Sequence, residues 1–342
     1  MDNNTVRYFY IEKVNQYCKM SIVLTRFSET ITLDKAFVEP LAEELRDNNI
    51  VQGTMLLAAN EFLFDPSYVF SYNDPSLVKF PGRYDIIIVA DSFKATAGKG
   101  KIDLTGSPGI SNTGTVTTPD PKPSEHGEPG TAGEPGDPGR PANNGGIGFP
   151  GMNIKVYCRH LADIELVSNG SVGGTGGTGG RGGNGGMNTA MNGKQGAGGR
   201  GGTGGTGGRG GNGGKIEVFS NELVNISIIS NGGTGGTGGT GGNGGTRATT
   251  IFGGGTGGTG GTGGNGGQIE VLFYTPLIGI FNRISNGGGQ GSGGEPGINA
   301  KGDKGQQHGS NGSPGINSVP DIKQTQFSEL WERVRIELAI PS

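Results

Sequence analysis

The chain has 342 residues, of which 75 are glycine, with a net charge of −3 and a hydrophobic fraction of only 31%. All the glycines except Gly53 and Gly82 lie between residues 98 and 317, which argues against one conventional globular enzyme and confines an ordinary core mainly to the first hundred residues. No basic surplus is present for nucleic-acid phosphates, and no apolar run nears the ~20 residues of a membrane span.

The start, Met1-Asp2-Asn3-Asn4, is acidic and polar where a secretory signal is basic and then apolar. The expectation is a cytoplasmic or virion-associated protein. Residues 1–97 read as a small α+β head. Val6, Tyr8 and Tyr10 alternate along one strand, and 17–27 reads as a second. Asp34 caps a helix with Phe37, Leu41 and Leu45 on one face. A short helix is predicted over 54–62 and a strand over 84–90. Cys18 and Cys158 stand 140 residues apart in unlike segments, and the reading is two free thiols.

Residues 98–152 read as a linker with short collagen-like triplets, for example Gly127-Glu128-Pro129. Over 153–293 the chain repeats. Ile154-Lys155-Val156, Ile216-Glu217-Val218 and Ile269-Glu270-Val271 each open a strand. Val167-Ser168-Asn169-Gly170, Ile229-Ser230-Asn231-Gly232 and Ile284-Ser285-Asn286-Gly287 each close a second one. Between these pairs run Gly-Gly-X triplets, with Thr175, Thr178, Arg181 and Asn184 at X outbound and Arg200, Thr203, Thr206, Arg209 and Asn212 returning. The next pair carries Thr234, Thr237, Thr240 and Asn243, then Thr256, Thr259, Thr262 and Asn265. Segments 187–197 and 246–252 join the runs as tips. A second collagen-like linker is expected over 294–320, followed by a docking helix over 321–342.

A flexible linker does not keep a three-residue phase for five triplets or alternate with copies of an apolar strand pair. A collagen triple helix draws its stability from proline, which the Gly-Gly-Thr runs lack. The remaining solution is a bundle of extended three-residue-per-turn helices. Each X side chain then repeats every ~9.3 Å on one side, and bare glycine lets neighbours approach for hydrogen bonding.

These triplets over 170–267 resemble polyglycine-II proteins, specifically the receptor-binding adhesins at the tail-fibre tips of T-even-like phages. More distantly they resemble the springtail antifreeze proteins, and bacterial collagen-like glycine-rich proteins are also similar. The adhesin resemblance implies that the variable segments form a receptor-contacting tip and that an N-terminal domain attaches to the fibre. The inserted strand pairs and the terminal helix are departures from the adhesin pattern.

The tips gather Met187, Met191, Ile251 and Phe252 with Lys194 and Arg247 beside them, an apolar cluster with basic neighbours that either packs between the two tips or serves as a contact surface for a receptor or glycan. Phe327, Leu330, Trp331, Val334 and Leu338 form an apolar stripe for docking, on the head's own sheet or on a protein partner. Formal dinucleotide patterns in the triplets carry no weight, because every Gly-Gly-X run generates them and no helix follows. His126, His160 and His308 stand alone, so no catalytic residues, cofactor or metal site is expected.

The fold class expected is multidomain: a small α+β head, a mainly-β base of repeated strand pairs, a polyglycine-II helix sandwich and a C-terminal amphipathic helix. The function expected is a non-catalytic structural protein presenting an adhesive tip. A cytoplasmic scaffold subunit, with protein partners at the head and the C-terminal helix, is the first alternative, and ice binding by the threonine rows the second.

Overall fold

The computed structural model describes residues 22–72, 80–111, 135–186, 196–246, 253–299 and 307–325. The strands expected at 6–10 and over the first part of 17–27, and the stripe at 327–338, lie outside them.

The described strands are β1 (Ile22–Leu33), β2 (Gln52–Phe64), β3 (Val69–Ser71), β4 (Arg83–Ala95), β5 (Gly100–Asp103) and β6 (Ile154–Ala162). They continue with β7 (Ile164–Val167), β8 (Ile216–Ile229), β9 (Ile269–Phe273), β10 (Ile278–Ile284) and β11 (Asp321–Gln324). All eleven belong to one sheet, and every pairing is parallel. The order is β1-β2-β4-β6-β8-β7-β5-β3, with β9 and β10 on β8 and β11 on β9.

The doubling back occurs within β8. Its first part pairs with β6 and β9, and its last part with β7 and β10. Asn225, at φ 53°, turns the corner between the two parts. Asp163 (φ 55°), Gly98 (φ 60°) and Gly279 (φ 74°) sit at the matching place in neighbouring coils. Asp, Asn and Gly are the residues that enter the left-handed region most cheaply. Asn225 Nδ2 donates to Asp163 Oδ1 at 3.0 Å and Ile280 N donates to Asn225 Oδ1 at 3.1 Å, so the corners are tied into a ladder.

The result is a nearly closed, barrel-like parallel sheet in two layers. Layer one holds β1, β2, β4, β6, the first part of β8, β9 and β11. Layer two holds β3, β5, β7, the last part of β8 and β10. Between them Ile86, Ile88, Ile154, Val156, Ile216, Val218, Ile269 and Val271 meet Ile102, Leu166 and Ile228 in one core. Next to β1 lies the one helix among the described residues, α1 (Lys35–Asp47), which puts Val38, Leu41, Ala42 and Leu45 into the same core. Asp34 caps it by accepting from Phe37 N at 2.8 Å.

This corrects the expected fold class. There is no separate α+β head or β base, because β2, β4 and β6 pair continuously across the boundaries expected at 97 and 152. The two strands of each repeated pair do not bond to each other, since opener and closer lie in different layers. The expected short helix at 54–62 is the middle of β2, where Met55 and Leu57 face the core and Leu56 faces outward. Nor do the glycine runs form a sandwich of their own. Parallel strands require long crossovers, and the runs are those crossovers. Residues 135–151, 294–299 and 307–318, read as parts of linkers, run among them.

Candidate functional site

Four outbound runs, 104–111, 168–186, 230–246 and 285–299, and four return runs, 135–151, 196–214, 253–267 and 307–318, continue the coils beyond layer two. Outbound runs bond side by side in parallel. Gly173, Gly176 and Gly179 donate to Thr234, Thr237 and Thr240 at 2.9 Å. Return runs do the same, as in Gly204 to Thr256 at 2.9 Å and Gly207 to Thr259 at 2.8 Å. The second glycine of each triplet donates to a run of opposite direction in the other layer, as in Gly236 to Gly208 at 2.8 Å and Gly239 to Gly205 at 2.7 Å.

Both glycine N–H groups of a triplet are therefore used, while the X side chain points outward. A Cβ on Gly236 would overlap the carbonyl of Gly174, and one on Gly239 that of Gly177. That close approach is why only glycine fits.

The recurring Ser-Asn-Gly exits have separate jobs. Ser168, Ser230 and Ser285 are buried where strand passes into run. Ser230 Oγ donates to Gly214 O at 2.6 Å or to Ser168 O at 3.1 Å, and Ser168 Oγ donates to Met152 O, so each of these buried hydroxyls has a backbone acceptor. Each Asn carboxamide accepts the X-position N–H of the next coil. Asn169 serves Asn231 at 2.8 Å, Asn231 serves Asn286 at 2.9 Å, and Asn212 serves Asn265 at 2.9 Å.

The X side chains form two outer faces. Thr178, Thr234, Thr237 and Thr240 are exposed on the outbound face, where Thr178 Oγ1 and Thr240 Oγ1 are 3.1 Å apart. Thr203, Thr206, Thr256, Thr259 and Thr262 stand on the return face. Arg209 donates to Asn212 Oδ1 at 3.1 Å and Arg181 to Asn184 Oδ1 at 3.4 Å, three residues further along the same run.

Residues 112–134, 187–195, 247–252 and 300–306, between the outbound and return runs, include most of the two segments expected as tips and lie outside the described residues. Met187, Met191, Lys194, Arg247, Ile251 and Phe252 lie outside the described residues, as do Phe327, Leu330, Trp331, Val334 and Leu338. The ends that carry the tips are fixed. Gly196 N donates to Gly186 O at 3.0 Å, Thr246 N to Asn184 Oδ1 at 2.9 Å, and Gly255 N to Gly242 O at 2.7 Å.

Two histidines expected alone have partners. His160 Nδ1 is 2.9 Å from Glu222 Oε2 in the next coil, and His308 Nδ1 is 3.5 Å from Glu295 Oε1. Sequence could have found the first pair only through the 62-residue register that aligns β6 with β8. Cys158 is buried 3.6 Å from Ser220 Oγ, and burial pushes its thiol up to about 12. It is therefore a protonated, unreactive thiol. Among the described residues no three His, Cys, Asp or Glu side chains converge at metal-binding distance, and no helix is long and apolar enough to cross a membrane.

No protein-family model and no curated protein sequence matches the chain. Among solved structures it is similar to the nine polyproline type II helical bundle springtail antifreeze protein from Granisotoma rainieri, at 25% identity over 63% of this chain and 96% of that one. The TM-score is 0.17.

Proposed function

We propose that the protein is a non-catalytic display protein, in which the glycine-run bundle presents residues 187–195 and 247–252 for recognition of a surface receptor or glycan. The observation that carries this reading is the anchoring of the loop ends. The runs flanking 187–195 and 247–252 are bonded to neighbours in their own layer and in the opposite layer up to Gly185, Gly186, Gly245 and Gly255. Such a frame fixes the two ends of each connection, which lowers the entropy that binding must remove. The X side chains also diverge from two outer faces, an arrangement suited to contact and not to convergence on one reacting atom.

The test replaces 187–195 and 247–252 together with Gly-Ser segments of equal length. Labelled protein is then applied to glycan arrays and to a panel of bacterial cells. The parent protein should bind a subset of these surfaces, and the double swap should lose that binding at an unchanged urea midpoint. Failure of the parent to bind any surface, or binding that survives the swap, overturns the proposal.

A further inference from the structure

Layer one has an outer face as well as a core face. On it Leu56, Ile87, Tyr157, Phe219 and Leu272 form a second apolar cluster, with Ile22 and Val89 against it. Tyr157 and Phe219 stack at 5.0 Å between ring centroids. Phe219 is 1% exposed and Leu272 8%. Glu217 and Glu270, on the same face, are also buried. Every member of the cluster belongs to layer one, so no described element from outside that layer contributes to it. A bare sheet face would leave such side chains in water.

We propose that the C-terminal segment 326–342 covers this face of its own chain. The extent of burial favours it over residues 1–21. Phe27 of β1 lies in one cross-strand row with Ala58, Val89, Tyr157, Phe219 and Leu272, yet it is 42% exposed. The cover thus fades at both edge strands, at β1, from which residues 1–21 extend, and at β11, where Lys323 is exposed. It is deepest over Tyr157, Phe219 and Leu272 of β6, β8 and β9, on the β11 side of the layer. There β11 pairs Lys323 with Leu272, and Thr325 N donates to Phe273 O at 2.8 Å, so the chain leaves the sheet beside the apolar row.

Reach and chemistry agree. From β9 to β2 is four strand spacings, ~19 Å, and the 17 residues after Thr325 span ~25 Å even when fully coiled as helix and more when extended. The segment offers Phe327, Leu330, Trp331, Val334 and Leu338 to the apolar row. In the row of Lys155, Glu217, Glu270 and Asp321, Glu217 is paired with Lys155 at 3.0 Å and Lys215 at 2.6 Å, and Arg333 and Arg335 of the segment add charge complementary to the Glu270 end of that row. The proposal does not depend on the display function.

Trp331 is the only tryptophan, which makes the test direct. In the intact protein its emission should be blue-shifted from that of the urea-unfolded chain, and iodide quenching should be several-fold weaker. Leu272→Glu should move both toward the unfolded values with the far-UV spectrum unchanged, and deletion of residues 1–21 should move neither. Water-like emission in the intact protein overturns the proposal without recourse to a variant. So does a response to deletion of 1–21, or a blue shift lost on dilution, which would place a second copy on the face.

Discussion

At the scale of single residues, position within the triplet decides tolerance. Gly236 faces Gly174 of the adjacent run with no space for a side chain, whereas Thr237 is exposed. Gly236→Val should cost ~3 kcal/mol or more by forcing two runs apart. Thr237→Val should stay within ~0.5 kcal/mol, and urea midpoints compare the two. The three-residue phase makes this contrast legible from sequence alone. The corner residues were not legible, because Asn225 sits inside an apolar stretch that reads as one strand and only its φ of 53° marks the turn.

Burial also sets a pH dependence. Desolvation raises Cys158 from 9.0 to about 12, and it raises Tyr68 from 10.0 to about 12 and Tyr72 and Tyr84 upward. Each group keeps its proton in the folded chain after the unfolded chain has lost it. Stability from these groups is therefore complete below pH 9 and falls as pH climbs from 9 toward 12. In a Cys18→Ser background, the urea midpoint should begin to fall near pH 9, and Cys158→Ala should delay the onset toward pH 10. A midpoint flat to pH 11 would contradict the burial described.

At the scale of elements, the pattern of apolar residues located most of the strands but misjudged their partners. Alternation is the same in a hairpin and in a parallel pair, so Ile154 and Val167 read as two strands of one unit. Their true partners lie 62 residues away, Ile216 and Ile229. The collagen-like stretches misled for a related reason. Proline at X is compatible with an extended run in the bundle, and Pro138 and Pro141 stand in the return run beside the one carrying Arg200 and Thr203. Those neighbours bear on the threonine rows. Ice recognition requires a flat and uniform lattice, and Arg181, Arg200 and Arg209 interrupt the rows of both faces. Millimolar protein should show no thermal hysteresis. A measurable gap that Thr259→Arg abolishes would make ice binding the better reading.

At the scale of the whole molecule, strands and glycine runs are successive parts of the same coils, and coil-to-coil pairing passes through both without a break. The sheet supplies apolar burial and the runs supply backbone hydrogen bonds. An isolated glycine run lacks the apolar contacts to offset its large ordering entropy, so continuity with the sheet keeps it in place. The central claim is that each run is ordered by two glycine amides per triplet, with the X amide left to water wherever no Asn or Ser side chain of a neighbouring run accepts it, as at Thr237 and Thr240. Residue-resolved amide exchange over 230–246 and 253–267 tests it most directly. Gly235, Gly236, Gly238 and Gly239 donate to neighbouring runs at 2.7–2.9 Å and should exchange slowly, while the amides of Thr237 and Thr240 exchange fast. Uniformly fast exchange through the glycines would contradict the account and make the runs flexible linkers.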